Sequence, residues 1–342
     1  MPRALLAGTC RRYDAVVFRI SAASNAEWNS QVDKVGAWTP HNYSGWAELK
    51  KRDGWTPLRV VDTNQRPVTQ VLAKTVGRAL TIAYSPGGFL TDFGVDAGVF
   101  TTFLGDTTKS KLLYCRVHML TPTNFKRSPL NETGWNRVWR TMSSGESLEL
   151  RLDTSLEDRV ALLSYNWKRN LARGEKRDNH VEVMENPSAD EIAKSHLELE
   201  TIKGKHVSIW ESSVPHVRTV VAEFGRQLVV VRCSGPEGRI RSLRGAVITG
   251  GGASAFDFLA TTTEDGRKHY SSYVTLWHLA NELSRRGVTR YDLGGVDRVA
   301  NKGVYDFKNG TGATPISYGG EFDATVPKLL RTSVSRLVSR VA

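Results

Sequence analysis

Lys308 stands near the end of the stretch VTRYDLGGVDRVANKGVYDFKNGTGATPISYGGEF, residues 288–322, which joins a strand, a glycine pair and a helix to one placed cation. Val288 to Leu293 read as the strand, and the spacing predicts a helix from about Asp297 to Lys308. At Gly294-Gly295 the missing Cβ lets the backbone turn sharply or come close to a ligand. Ligands gather where strands end in such turns. Two chemistries suit the arrangement: backbone amides cradling a phosphate, or the Lys308 ammonium set against developing negative charge. A plain strand-to-helix turn with a surface lysine accounts for the same residues. Elsewhere no nucleophile declares itself, since no Ser/His/Asp or Cys/His set is visible. Cys10, Cys115 and Cys233 are too far apart for a metal or redox motif. No metal site is expected, and such cysteine usage suits a reducing, cytoplasmic setting.

The elements that must position Lys308 run in a repeated order. A first region begins with a strand at 15–20, a helix from Ala26 to Val35 capped by Ser24 or Asn25, and a second helix at 43–53. TPLRVVD, VTQVLAKT and RALTIAYS then read as an antiparallel meander, followed by a helix near 95–105 and a strand at 111–119. Residues 120–147 connect to a second region. There ESLELRLD leads into one long helix opened by Ser155 and Asp158, with Leu156, Val160, Leu163, Trp167 and Leu171 as its apolar stripe. After the strand HVEVME come helices at 188–203 and 213–224, a second meander (QLVVVRCS, LRGAVITG, AFDFLAT), a helix at 271–286 and the strand VTRYDL. Both regions thus read strand, helix, helix, meander, helix, strand. That order is similar to the N-acetyltransferase-like (GNAT) fold, so the expected architecture is an α/β chain of two tandem GNAT-like domains with mixed sheets. Their expected bounds are 1–147, completed by 321–342, and 148–320.

With 342 residues, two domains of roughly 150 to 170 residues are the natural expectation. Lys and Arg number 47 against 35 acidic residues, a net charge of +12 spread over both regions, which points to a polyanionic partner such as nucleic acid or a phosphate-bearing, membrane-surface substrate. No stretch approaches the length of a membrane span. The closing VPKLLRTSVSRLVSRVA puts Leu330, Val334, Leu337, Val338 and Val341 on one face, with Arg331, Arg336 and Arg340 elsewhere. Such a helix folds back on the first domain or lies on a membrane or an RNA.

Beyond these patterns, Tyr291-Asp292-Leu293-Gly294-Gly295 followed by Gly303-Val304-Tyr305-Asp306-Phe307-Lys308-Asn309-Gly310 and Gly320-Glu321-Phe322 resembles the C-terminal signature of the Fem-type peptidyltransferases, of the kind without a coiled-coil arm. Trp46, Lys50 and Gly54-Trp55, the turn Tyr84 to Asp92, and the basic helix end Asn166 to Arg177 resemble further family motifs in order. The resemblance implies a transferase that takes an amino acid from aminoacyl-tRNA and joins it to an amine on a cell-wall precursor or a peptide antibiotic. The expected partners are aminoacyl-tRNA and an amine acceptor, presented free, at a membrane surface or on a carrier; the protein is expected to be a monomer, with no cofactor beyond the tRNA co-substrate. It implies Lys308 as the cation of the substrate channel, Asp92 as a residue that orients or deprotonates the amine, and Lys50 on acceptor phosphate. Phe307, Gly294 and Gly295 would line the substrate, and Lys203 and Lys205 would stand in the region where relatives carry an acceptor-binding arginine. The sequence departs from the pattern at Gly87 and Phe89, where arginine and proline are usual, and at Phe256 or Phe258, where an aromatic hydroxyl is usual. Those departures imply an altered acceptor. The alternative is an acyl-coenzyme A-dependent N-acyltransferase of the same fold, although no Arg/Gln-x-x-Gly-x-Gly/Ala turn follows either meander.

Overall fold

A computed structural model describes residues 17–77, 79–90, 94–123, 129–185, 187–194 and 214–341. Its helices are α1 (Asn25–Lys34), α2 (Ser44–Arg52), α3 (Ala97–Thr108), α4 (Leu156–Leu162), α5 (Tyr165–Glu175), α6 (Val214–Phe224), α7 (Glu264–Lys268), α8 (Ser271–Arg285), α9 (Lys302–Asn309) and α10 (Arg331–Val341). The strands that matter for the site are β2 (Thr56–Val61), β3 (Pro67–Val76), β4 (Leu80–Ser85), β5 (Leu112–Pro122), β7 (Glu146–Arg151), β9 (Leu228–Ser234), β10 (Ile240–Thr249), β11 (Ser254–Thr262), β12 (Arg290–Asp292) and β13 (Thr314–Val326). Of the helix expected at 188–203, the part beyond residue 194 lies outside the described residues.

Both meanders form as the alternation requires, β2-β3-β4 and β9-β10-β11, all antiparallel. Each is then followed by a helical crossover and a strand parallel to the meander's last one: β5 beside β4 and β12 beside β11. The strands on the far side of these pairs are again equivalent, since β13 runs antiparallel to β5 and β7 antiparallel to β12. β13 serves both halves: Thr314–Ser317 pair with β7 and Tyr318–Val326 with β5. With β1 (Arg19–Ile20), β6 (Asn136–Arg137) and β8 (His180–Met184), one sheet therefore runs β1-β2-β3-β4-β5-β13-β7-β12-β11-β10-β9-β8, and β6 pairs with β13. α3 covers one face of the first half, where Phe100 and Leu104 meet Ala83, Leu113, Cys115 and Val117. α8 covers the second, with Leu276, Leu279, Ala280 and Leu283 against Val229, Val231 and Ala246.

Two local expectations are corrected. The long helix from Leu156 through Leu171 is two helices, α4 and α5, because Leu163 takes an extended conformation and the Ser164 side chain caps a new start by accepting from the Trp167 amide. The Ser164 amide in turn donates to the Gly310 carbonyl at 2.9 Å, fixing the break against the Lys308 segment. Consequently Leu163, Trp167 and Leu171 are buried while Leu156 and Val160 face solvent. Ser164→Ala should lower stability by about 1 kcal/mol through loss of the cap, read as a drop in urea midpoint at unchanged slope. Secondly, α9 begins at Lys302 rather than near Asp297, whose carboxylate closes a turn on the Val299 and Ala300 amides.

Candidate functional site

The short helix α9 delivers Lys308 to the end of β12. Only 8% of the residue remains exposed, and its Nζ donates to the carbonyl oxygens of Gly294 at 3.0 Å and Gly295 at 3.1 Å. Gly294 has φ +75°, the left-handed conformation that glycine adopts without penalty. The Gly294 amide is already spent on Asp292 Oδ1 at 2.9 Å. The glycine pair therefore presents carbonyls to a cation, where the sequence left open amides presented to a phosphate. Two of the three ammonium hydrogens are used there, and the third is available to a substrate oxygen.

Burial pushes the Lys308 ammonium down to about 8, opposed by Asp257 and Asp292 and reinforced by Arg244. It is mostly protonated near neutrality, yet poorly solvated, which strengthens any bond to an anionic oxygen. Asp257 does not neutralise it, because that carboxylate is engaged by Arg244 through two bonds of 2.9 Å and by the Tyr291 hydroxyl at 2.5 Å. The Arg244 guanidinium lies 5.8 Å from the centre of the Phe307 ring. Phe307 packs edge-on against Tyr273, and its carbonyl accepts from Trp167 Nε1 at 3.0 Å. Lys308 is thus held through its own ammonium and through the backbone and ring of the residue before it.

Asp292 ties this centre to the rest of the molecule. Its buried carboxylate accepts from Trp38 Nε1 at 2.6 Å, Ser147 Oγ at 2.5 Å, the Tyr318 hydroxyl at 2.6 Å and the Gly294 amide. Burial raises its carboxyl above the ordinary range, against the pull of those four donors. Trp38 arrives from the first region, Ser147 from β7 and Tyr318 from β13, so one side chain pins the junction beside the glycine pair.

Of the residues singled out from sequence, Lys308, Phe307, Gly294 and Gly295 come together. Lys50 makes its contacts elsewhere, on α2, where it pairs with Asp53 at 2.9 Å and stands over the Trp46 ring; Asp53 also holds His216 of α6 at 2.8 Å. Asp92, Lys203 and Lys205 lie outside the described residues. Phe256 meets the His41 ring edge-on and Phe258 meets Trp46, so the positions that lack hydroxyls form an apolar seam between the two halves. Sequence reasoning assigned no role to Asp292, Asp257, Arg244, Trp38 or Tyr318. An aspartate inside an otherwise apolar strand was the one available signal for Asp257, in AFDFLAT.

Residues 235–338 match the FemAB family model. The Fem-matched segment contains the whole centre just described from Arg244 to Tyr318, leaving only Trp38, Ser147 and Trp167 outside it. No curated protein sequence matches the chain. Among solved structures, a crystal structure of FemX superposes with a TM-score of 0.74 at 14% identity, over 94% of this chain and 99% of that one. A tandem GNAT protein from the clavulanic acid biosynthesis pathway gives 0.56 at 14% identity, over 91% and 99%. The C-terminal domain of a putative lysylphosphatidylglycerol synthetase from Agrobacterium fabrum gives 0.56 at 14%, over 91% and 97%. The fold is therefore that of tandem GNAT-like units, and the chain resembles the Fem family. No helix among the described residues is long and apolar enough to cross a membrane.

Proposed function

We propose that the protein is a cytoplasmic aminoacyltransferase that moves an amino acid from aminoacyl-tRNA to the amine of a peptide acceptor, with no further cofactor. The observation that carries this reading is the buried, hydrogen-bonded Lys308 ammonium with one hydrogen to spare, inside the Fem-matched segment. The tRNA ester is already activated, so the protein has to orient a neutral amine, steady the oxyanion and manage one proton. The amine nitrogen bonds to the acyl carbon, the ester C–O bond breaks, and the proton lost by nitrogen ends on the departing ribose oxygen. Lys308 donates to the acyl oxygen as charge develops there, while Phe307, Gly294 and Gly295 line the acyl group. Asp92 orients or deprotonates the amine, and Lys50, with Lys203 or Lys205, holds acceptor phosphate. The units are residues 1–147 with 321–342, and 148–320, and the enzyme acts as a monomer on a cell-wall precursor or a peptide-antibiotic intermediate, presented free or at a membrane surface.

A second reading, an acyl-coenzyme A-dependent N-acyltransferase, draws on the tandem GNAT neighbour. In the second unit the turn between β11 and α7 does not favour it. The Gly266 amide donates to Thr263 Oγ1, and a Cβ at Gly266 would run into the Arg241 backbone, so that glycine serves close packing rather than a pyrophosphate. A pool of charged, radiolabelled tRNAs offered with candidate amines separates the two readings. Label should reach the acceptor only while the tRNA is intact; transfer that survives RNase treatment before mixing sinks the tRNA reading, and product from acetyl-coenzyme A in RNase-treated protein favours the second.

A further inference from the structure

The first half of the sheet has two faces, and only one is fully covered. Ala83, Leu113 and Cys115 turn toward α3, while Leu80, Ile82 and Tyr84 of β4 and Tyr114 of β5 turn the other way, onto a cavity of about 550 Å³. Leu337 and Val338 of α10 close one side of it. Its charged floor is already satisfied: Arg116 is paired with buried Glu321, whose other oxygen accepts from the Met142 and Ser143 amides. The Tyr114 hydroxyl donates to Asp323 at 3.3 Å. A cavity lined mainly by Val76, Leu80, Ile82, Leu337 and aromatic rings suits an extended apolar chain.

α10 does not bury the apolar face that its sequence suggests. Val334 and Ser335 are buried, and the helix is fastened through polar bonds from Arg331 and Ser335 to Asp323. Leu337 stays 55% exposed and Leu329 83% exposed. Alongside, Trp139 is 66% exposed with the Arg336 guanidinium 4.5 Å from its ring centre, and Met142 is exposed at the cavity rim. A second cleft between this segment and α10 is lined by Arg137, Trp139 and Arg331, and no carboxylate lines either cleft among the described residues. Exposed tryptophan and leucine beside the Arg336 guanidinium, with Arg137 and the Asp323-paired Arg331 close by, are the composition of a surface that meets an anionic bilayer.

We propose that this face docks on an anionic membrane and that the cavity between β4, β5 and α10 receives the hydrocarbon chain of one lipid, with Arg336 at its headgroup. The proposal is independent of the aminoacyl-transfer reading, because its vesicle and alkyl phosphate assays contain neither tRNA nor acceptor. Co-sedimentation is measured with phosphatidylcholine vesicles, with and without phosphatidylglycerol, and cavity occupancy with a fluorescent long-chain alkyl phosphate below its micellar concentration. The protein should sediment only with the anionic vesicles. Trp139→Ala combined with Leu337→Ser should cut that partitioning at least tenfold, and Ile82→Trp, which fills the cavity, should weaken alkyl phosphate binding at least tenfold. Both sites of the first variant are more than half exposed, so it keeps the test decisive should Ile82→Trp fail to fold. Equal binding to neutral and anionic vesicles, undiminished binding by the first variant, or undiminished alkyl phosphate binding by folded Ile82→Trp would each overturn the proposal. So would an Arg336→Glu protein that loses tRNA retention when the parent binds no vesicles, which assigns the face to RNA.

Discussion

Lys308→Ala should slow aminoacyl transfer by roughly 10²- to 10³-fold, the range for removing one preorganised donor to an oxyanion, while retention of charged tRNA on a filter changes little. The ammonium is already desolvated and held by two carbonyls, so its interaction with the acyl oxygen grows only as charge develops there. Its loss falls on kcat rather than on binding. Unchanged single-turnover rates would remove Lys308 from the mechanism. The pH dependence has a definite sign. Since burial lowers the group to about 8, the cation discharges above that pH and the rate should fall there. Lys308→Arg, whose charge persists to much higher pH, should abolish that descending limb even if its absolute rate is lower. Stability moves oppositely. The folded chain sheds this proton at about 8 and the unfolded chain near 10.5, so between those values the unfolded state binds more protons and stability rises with pH. Below about 8 the buried ammonium costs up to ~3 kcal/mol. Lys308→Met should therefore be neutral to stabilising at pH 7 while inactive, the combination expected of a group retained for chemistry rather than folding.

Asp292→Ala should be the most destabilising single change near the site, by about 3–5 kcal/mol, because it strands buried donors on Trp38, Ser147 and Tyr318. Those donors come from three separated segments, so the damage is to the junction of the two halves rather than to one strand. Urea unfolding measures it directly, and Asp292→Asn, which keeps an acceptor oxygen, should recover part of the loss. Transfer should fall in both variants even at temperatures where they remain folded. The reason is that Gly294, whose amide Asp292 holds, supplies one of the two carbonyls that position Lys308. A loss below about 1 kcal/mol would mean that water reaches and satisfies the stranded groups.

The meanders, the Ser24 cap of α1 with its reciprocal Glu27 bond, and the end of α8 at Gly287 are local patterns, and they formed where alternation, capping and glycine placement put them. The break at Leu163-Ser164 was hidden because the apolar stripe continues through it. The bond that holds the break goes to Gly310, far along the chain. The short start of α9 was missed because Asp297 caps a turn as readily as a helix. At α10 the period of Leu330, Val334, Leu337 and Val338 indicated an amphipathic helix, but not which residues it would bury. Polar bonds to Asp323 settled its roll and left Leu337 outside.

By itself the sequence determined a basic chain with two copies of one element order and a glycine pair followed by a lysine, since period, composition and glycine placement are properties of neighbouring residues. Only the tertiary structure decided that the glycines offer carbonyls rather than amides, that Lys308 is buried with a lowered proton affinity, and that Asp257 is already committed to Arg244. The reason is physical: charge and hydrogen-bonding state at this centre depend on partners at positions 38, 147, 244 and 318. Sheet pairing brings those partners together, and no short-range pattern encodes it.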